Sequence, residues 1–185
     1  MQAQLAKLIR QLDHAERRLE MLTDSVPGER WSVRTDPAHW SVAECVAHLN
    51  LTSEAYVPRL QKAIAEARQM PPMKGGNYRR DVKGWLLSSM MGPLPAIGKV
   101  RLGRVKTTPA FVPTGNEASN VLLAEFKRHQ LELGRMLKES DGLQLDKVSI
   151  VSPFGEKMRY SCYSAFTILP RHQDRHLDQA ERVWR

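Results

Sequence analysis

Leucines recur at three- and four-residue spacing from the start of the chain. Leu5, Leu8, Leu12, Ala15, Leu19 and Leu22 alternate with Lys, Arg, Glu and Gln, which is the pattern of a helix with one buried stripe. The spacing predicts a helix over residues 2–24, with His14 off the stripe in solvent, and Val26-Pro27-Gly28 stopping it. Residues 29–40 read as a connector carrying Trp31, Pro37, His39 and Trp40. Ser41 then fits an N-cap, with Glu44 three residues later to complete a capping box and Trp40 placed to staple onto Cys45. This second helix is expected to run to about Arg68, bent at Pro58. His48 in its second turn shares a face with Cys45, Thr52 and Ala55.

Two further helices follow a long link. Val121, Leu122, Phe126, Leu133, Met136 and Leu137 form a stripe that predicts a helix from around Thr114–Asn116 to Glu139, with His129 at the stripe's edge and Asp141-Gly142 closing it. After a short extended piece at 148–151 and a turn at 152–155, Cys162, Phe166, Leu169, His172, His176, Ala180 and Val183 mark one face of a last helix. It is expected to run from near Ser161 to about Val183, kinked at Pro170. The expected fold is all-α, a four-helix bundle in one domain. Residues 71–115, rich in Gly and Pro, make a long, partly helical insertion between helices 2 and 3, and a link of that length lets those two helices run parallel.

Composition adds bounds. Of 185 residues, 42% are hydrophobic and 26% charged, ordinary for a globular domain. Two cysteines, Cys45 and Cys162, make no disulfide framework, and there is no basic-then-apolar leader and no run of about eighteen apolar residues. A soluble, cytoplasmic protein is expected. The net charge of +8 is local. Residues 74–106 hold eight basic residues against Asp81, while the remainder holds 20 basic and 19 acidic residues. One segment is cationic, and the chain as a whole is not a polycation.

The chemistry concentrates at Arg171-His172-Gln173-Asp174-Arg175-His176-Leu177-Asp178-Gln179. Histidines four apart share one side of a helix. On an apolar stripe each imidazole would cost about 1–3 kcal/mol if left unsatisfied, and a third donor from another helix would complete a metal site. His48 is the candidate for that donor. The competing reading is a polar helix surface on which the pair meets Asp174, Asp178 or Glu181. Three neutral imidazoles leave a coordination position open, where a water or a thiol would be acidified; zinc, nickel and iron all suit such donors. Gln173 stands where the HExxH motif needs its glutamate, so a metalloprotease of that type is excluded. Glu44 and Asp174, and with them Asp178, are the candidate general acids or bases. Cys45 reads as a small buried apolar residue.

The run Trp40-Ser41-Val42-Ala43-Glu44-Cys45-Val46-Ala47-His48-Leu49, the turn Pro153-Phe154-Gly155 and the helix from His172 to Gln179 together resemble the DinB/YfiT-like superfamily, in its DinB-like four-helix-bundle domains. The resemblance covers roughly residues 2–70 and 115–184. It implies a metal-binding bundle with a three-histidine site at His48, His172 and His176. Similar proteins include S-transferases and isomerases that use bacillithiol or mycothiol, and metal-dependent hydrolases.

The expected function is a metal-dependent enzyme with an open three-histidine site, either a low-molecular-weight-thiol S-transferase or a hydrolase. Its expected partner is a small-molecule substrate, with a homodimer left open. Arg79, Arg80, Arg101 and Arg104 could hold a thiol's carboxylates or stabilise an oxyanion. The alternative is a non-catalytic stress or regulatory bundle whose basic insertion binds an anionic partner, a nucleic acid or a membrane surface, with Trp85, Leu86, Leu87, Met90 and Met91 between the cations. No nucleic-acid-binding motif is present.

Overall fold

The computed structural model describes residues 1–92, 96–97, 100–101, 107–115 and 117–184. Four long helices form the bundle: α1 (Ala3–Ser25), α2 (Val42–Ala67), α4 (Ser119–Glu139) and α5 (Cys162–Trp184). A shorter helix, α3 (Val82–Met91), lies in the insertion, with a strand pair β1 (Ala96–Ile97) and β2 (Val100–Arg101) after it. A second antiparallel pair, β3 (Ser149–Val151) and β4 (Arg159–Ser161), precedes α5, with Ile150 opposite Tyr160.

Helix directions follow from the bonds between them. Asn50 reaches the Leu122 carbonyl at 3.0 Å, Gln61 bonds Glu132 at 2.8 Å and Arg68 bonds Glu139 at 2.9 Å. Both sequences ascend, so α2 and α4 run parallel, as the long insertion between them permits. Between α1 and α4 the order reverses: Gln2 bonds Asp141, the Leu12 carbonyl accepts from Gln130, and Glu20 pairs with Lys127. α2 runs antiparallel to α5, with His48 against His172 and Trp40 against His176. Around the bundle the order is α1-α4-α2-α5, with α1 and α2 on one diagonal.

The leucine stripe of α1 is buried as its spacing predicts, and His14 is exposed. One part of the core gathers Leu12, Tyr56, Leu60, Leu133 and Phe166; the other gathers Leu19, Trp31, Val46, Leu122, Phe126 and Leu177. α2 and α5 continue through Pro58 and Pro170. Residues 41–50 are buried on every side, because the 26–41 connector closes over them. Within it Trp31 is buried, donating its indole N–H to the Val26 carbonyl, while its own carbonyl accepts the Ala43 N–H.

One boundary differs from the sequence reading. α4 begins at Ser119, and Val121 is 46% exposed instead of lying on the buried stripe. The Thr114 hydroxyl bonds Glu117, so that cap-like pair is realised in a turn before the helix. Gly115 sets the turn. It has φ +71°, and a Cβ there would meet Glu44 Cγ at 2.6 Å, so the chain must pass α2 before it can coil. Asn116 lies outside the described residues. The last helix starts at Cys162, next to Ser161 as its pattern predicts, and Ser161 itself ends β4.

α3 is fastened to α5 at both ends. Asp81 caps it, accepting from Gly84 N at 3.1 Å, while its other oxygen accepts from Ser161 N, Ser161 Oγ and Ser164 Oγ at 2.7–3.1 Å. Burial opposes ionisation of Asp81, but the bonds from Ser164, Ser161 and Gly84 prevail and hold its carboxyl below the usual range. At the other end, Arg171 donates to the Ser88 carbonyl at 2.8 Å and Arg175 to the Met90 carbonyl at 2.9 Å. These two cations satisfy carbonyls in the last turns of α3 and oppose its negative pole.

Candidate metal centre

The start of α2 is built as its sequence predicts. Ser41 Oγ accepts the Glu44 N–H and Glu44 returns a bond to the Ser41 N–H at 2.9 Å. Arg34 closes on the same carboxylate with two bonds. Burial raises the Glu44 pKa, but the Arg34 and Ser41 bonds outweigh it and hold the group ionised. Glu44 is therefore committed to the cap and to Arg34. One turn on, His48 points into the bundle, and its Nδ1 donates to the Phe111 carbonyl at 2.7 Å. That bond fixes the tautomer and leaves the Nε2 lone pair facing α5.

Facing it, His172 and His176 lie one turn apart on α5. Nε2 of His48 is 3.2 Å from Nε2 of His172, and the ring centroids are 4.5 Å apart for His48 and His176 and 4.6 Å for His172 and His176. A donor atom from each ring lies within 4.8 Å of the other two, and among the described residues no cysteine or carboxylate joins them. All three rings are at least 92% buried.

Burial lowers the pKa of all three. His48 falls to about 4, and His172 and His176 go well below the ordinary value, with repulsion from a neighbouring histidine as the next cause, His176 for His172 and His48 for His176. The rings are neutral at pH 7, the form a metal requires. Nδ1 of His172 and of His176 is buried without a hydrogen-bond partner. Two nitrogens 3.2 Å apart must share either a proton or a cation. Buried neutral imidazoles, converging lone pairs and orphaned nitrogens fit a divalent ion held by three histidines.

Aromatic rings wall this site. Trp40 stacks on His176 at 5.8 Å and lies 4.9 Å from His48, a role its reading as a staple on Cys45 did not include. Phe154, from the turn between β3 and β4, stands edge-on to His172 at 6.1 Å and packs on Phe111 at 5.0 Å. Phe111 comes from the insertion, where no periodicity marks it. The missed arginines did have a signal: Arg171-His172 and Arg175-His176 repeat the same dipeptide, so the residue before each histidine points one position round the helix, toward α3.

The other candidates are placed elsewhere. Asp174 lies on the α1 side of α5, where Arg18 pairs with it at 3.3 Å, with Asp178 at 2.7 Å and with Glu181 at 2.9 Å. Arg79 and Arg80 line a shallow notch of about 360 Å³ with Val82 and Trp85, and no histidine borders it. Arg104 and the side chain of Arg101 lie outside the described residues. Cys45 is packed in the core, where burial pushes its thiol up. His129 is buried on α4, diagonal to α5, beside Arg128. His39 is exposed and paired with Asp36.

A protein-family model for the DinB superfamily matches residues 11–180. No curated protein and no solved structure matches the chain. The match runs from α1 through all but the last turn of α5 and takes in His48, His172 and His176, so the chain belongs to the DinB superfamily.

Proposed function

We propose that His48, His172 and His176 hold one divalent cation, zinc, nickel or iron, and that the protein is a metal-dependent S-transferase acting on a low-molecular-weight thiol. The observation that carries this reading is the buried, neutral histidine triad with its orphaned nitrogens. The bound ion would supply Lewis-acid activation of the thiol at the open position. In such a transfer the thiol sulfur would form a bond to an electrophilic carbon, the bond from that carbon to its leaving group would break, and the thiol proton would pass to solvent.

The chain's own groups favour thiol transfer over hydrolysis. Water attack calls for a general base within hydrogen-bond reach, and all three carboxylates considered for that task are held elsewhere, Glu44 by Arg34 and Ser41, Asp174 and Asp178 by Arg18. A thiol starts from a pKa of about 8.5 and water from about 15.7, so at such an ion the thiol would depend less on a neighbouring base. Trp40, Phe111 and Phe154 exclude water and offer an apolar wall to an organic electrophile. The Phe111 carbonyl keeps His48 in the tautomer that presents Nε2.

Metal content of purified protein by mass spectrometry, with a thiol-transfer screen against several cellular thiols, tests both steps. His48→Ala, His172→Ala and His176→Ala should each lose most of the metal, while His39→Ala and His129→Ala keep it. Full retention in the three variants overturns the site. Metal-dependent ester hydrolysis without any thiol requirement overturns the transferase in favour of a hydrolase, and metal retention with neither activity overturns the enzyme.

A further inference from the structure

α3 is polarised the wrong way for a helix on a bundle. Its buried positions are Gly84 and Ser88, which face α5, while Val82, Trp85, Leu86 and Met90 are 80%, 52%, 53% and 48% exposed. Their spacing of three, four and eight residues gathers them on one face. Leu87 and Met91, which the sequence places with them, pack instead against the core. The small residues let α3 approach α5 closely and turn the large ones outward. The bonds from Asp81, Arg171 and Arg175 hold this arrangement.

Cations surround that face. Lys74, Arg79, Arg80 and Lys83 are exposed, and among the described residues the side chains of Arg79, Arg80 and Lys83 make no ion pair. Of the acids nearby, Asp81 turns its carboxylate inward to Ser161, Ser164 and Gly84, and Asp146 accepts the Arg79 backbone N–H at 3.3 Å. The notch between Arg79, Arg80 and Trp85 sets guanidinium groups beside an indole at the border of the apolar face.

We propose that α3 seats the protein on an anionic phospholipid surface. Val82, Trp85, Leu86 and Met90 enter the boundary between headgroups and acyl chains, and Arg79, Arg80 and Lys83 pair with lipid phosphates. A tryptophan with basic neighbours suits that depth. The attachment is peripheral, since no helix among the described residues is long and apolar enough to cross a membrane. A second copy of the chain fits less well, because a twofold contact through this face would bring two sets of Arg79, Arg80 and Lys83 together. Nucleic acid would use the cations but leave four apolar side chains against a polyanion. This inference does not rest on the metal site.

The test is co-sedimentation of the full chain with vesicles of phosphatidylcholine, alone and mixed with phosphatidylglycerol. Binding is expected only to the mixed vesicles, falling with added salt. Trp85→Ser should weaken partition about tenfold or more, the effect of removing one large apolar side chain. Arg80→Ser should weaken it about fivefold. Both positions are exposed, and unchanged melting temperatures would confirm intact folds. Absence of binding to the mixed vesicles, or equal partition of Trp85→Ser and the parent, overturns the proposal. So does concentration-dependent dimerisation that Trp85→Ser abolishes in the absence of vesicle binding, which identifies a second copy. DNA retention that Arg80→Ser weakens and Trp85→Ser leaves intact, again without vesicle binding, identifies nucleic acid.

Discussion

Gly84→Ala separates helix propensity from tertiary packing by the sign of its effect. On propensity alone the alanine should stabilise α3 by up to about 1 kcal/mol, because glycine loses more backbone freedom on folding. The structure demands the opposite. A Cβ at position 84 would fall inside the contact envelopes of Ser164 Cβ and Oγ and lie 2.7 Å from Asp81 Oδ1, where ordinary carbon contacts are about 3.5–4.0 Å. Ser164 Cβ is carried by the backbone of α5, so no flexible side-chain end can yield. Relief requires α3 to move away by more than about 1 Å. That motion stretches the Ser164–Asp81 bond of 2.7 Å and the Arg171–Ser88 bond of 2.8 Å. Overpacking of this kind costs about 1–3 kcal/mol. With a propensity gain of up to about 1 kcal/mol subtracted, a net loss of up to about 2 kcal/mol is expected, or up to about 8 °C in melting temperature for a chain of this size. Thermal and urea unfolding measure the loss, and amide exchange at 82–91 reports whether α3 lifts locally. A rise in stability with α3 amides equally protected would refute the docking of α3 on α5.

Other outcomes follow from the same contacts. Asp81→Ala removes a cap and the acceptor of Ser161 and Ser164, and should cost about 1–2 kcal/mol by urea unfolding at pH 7. The Asp81 carboxyl titrates below its ordinary 3.8 in the folded state. Its contribution is therefore complete above that value and is lost as pH falls through the folded pKa, so parent and variant should converge in acid; a gap that widens in acid would contradict this. Arg18→Met leaves Asp174, Asp178 and Glu181 without their shared partner and should destabilise by about 1–3 kcal/mol at pH 7. Added salt should shrink the deficit, and equal deficits at low and high salt would refute charge repulsion as the cause. Tyr56→Phe removes a 2.5 Å bond to Tyr160 while Tyr160 keeps Ser152, and a loss of about 1 kcal/mol in chemical unfolding is expected.

Much of this protein is legible in its sequence because the relevant signals are local. The leucine stripe of α1, the Ser41–Glu44 box and the four-residue spacing of His172 and His176 each act within one or two helical turns, and all three appear as read. The parallel course of α2 and α4 also follows, since only a long link allows it. Val121 and the start of α4 were misplaced because the turn there is set by Gly115 meeting Glu44, a contact spanning 71 positions.

Which side chains meet depends on the folded chain. Residue order carries the helices, the candidate histidines and the cationic segment, because periodicity and charge are properties of neighbours along the chain. It left open that His48 Nε2 stands 3.2 Å from His172 Nε2, that the Phe111 carbonyl selects its tautomer, and that Glu44 and Asp174 are each bound to an arginine. It also left open which way α3 turns, since Trp85 and Leu87 are equally apolar as residues. Gly84 and Ser88 settle that by allowing close approach on one side only, and burial follows from the partner surface.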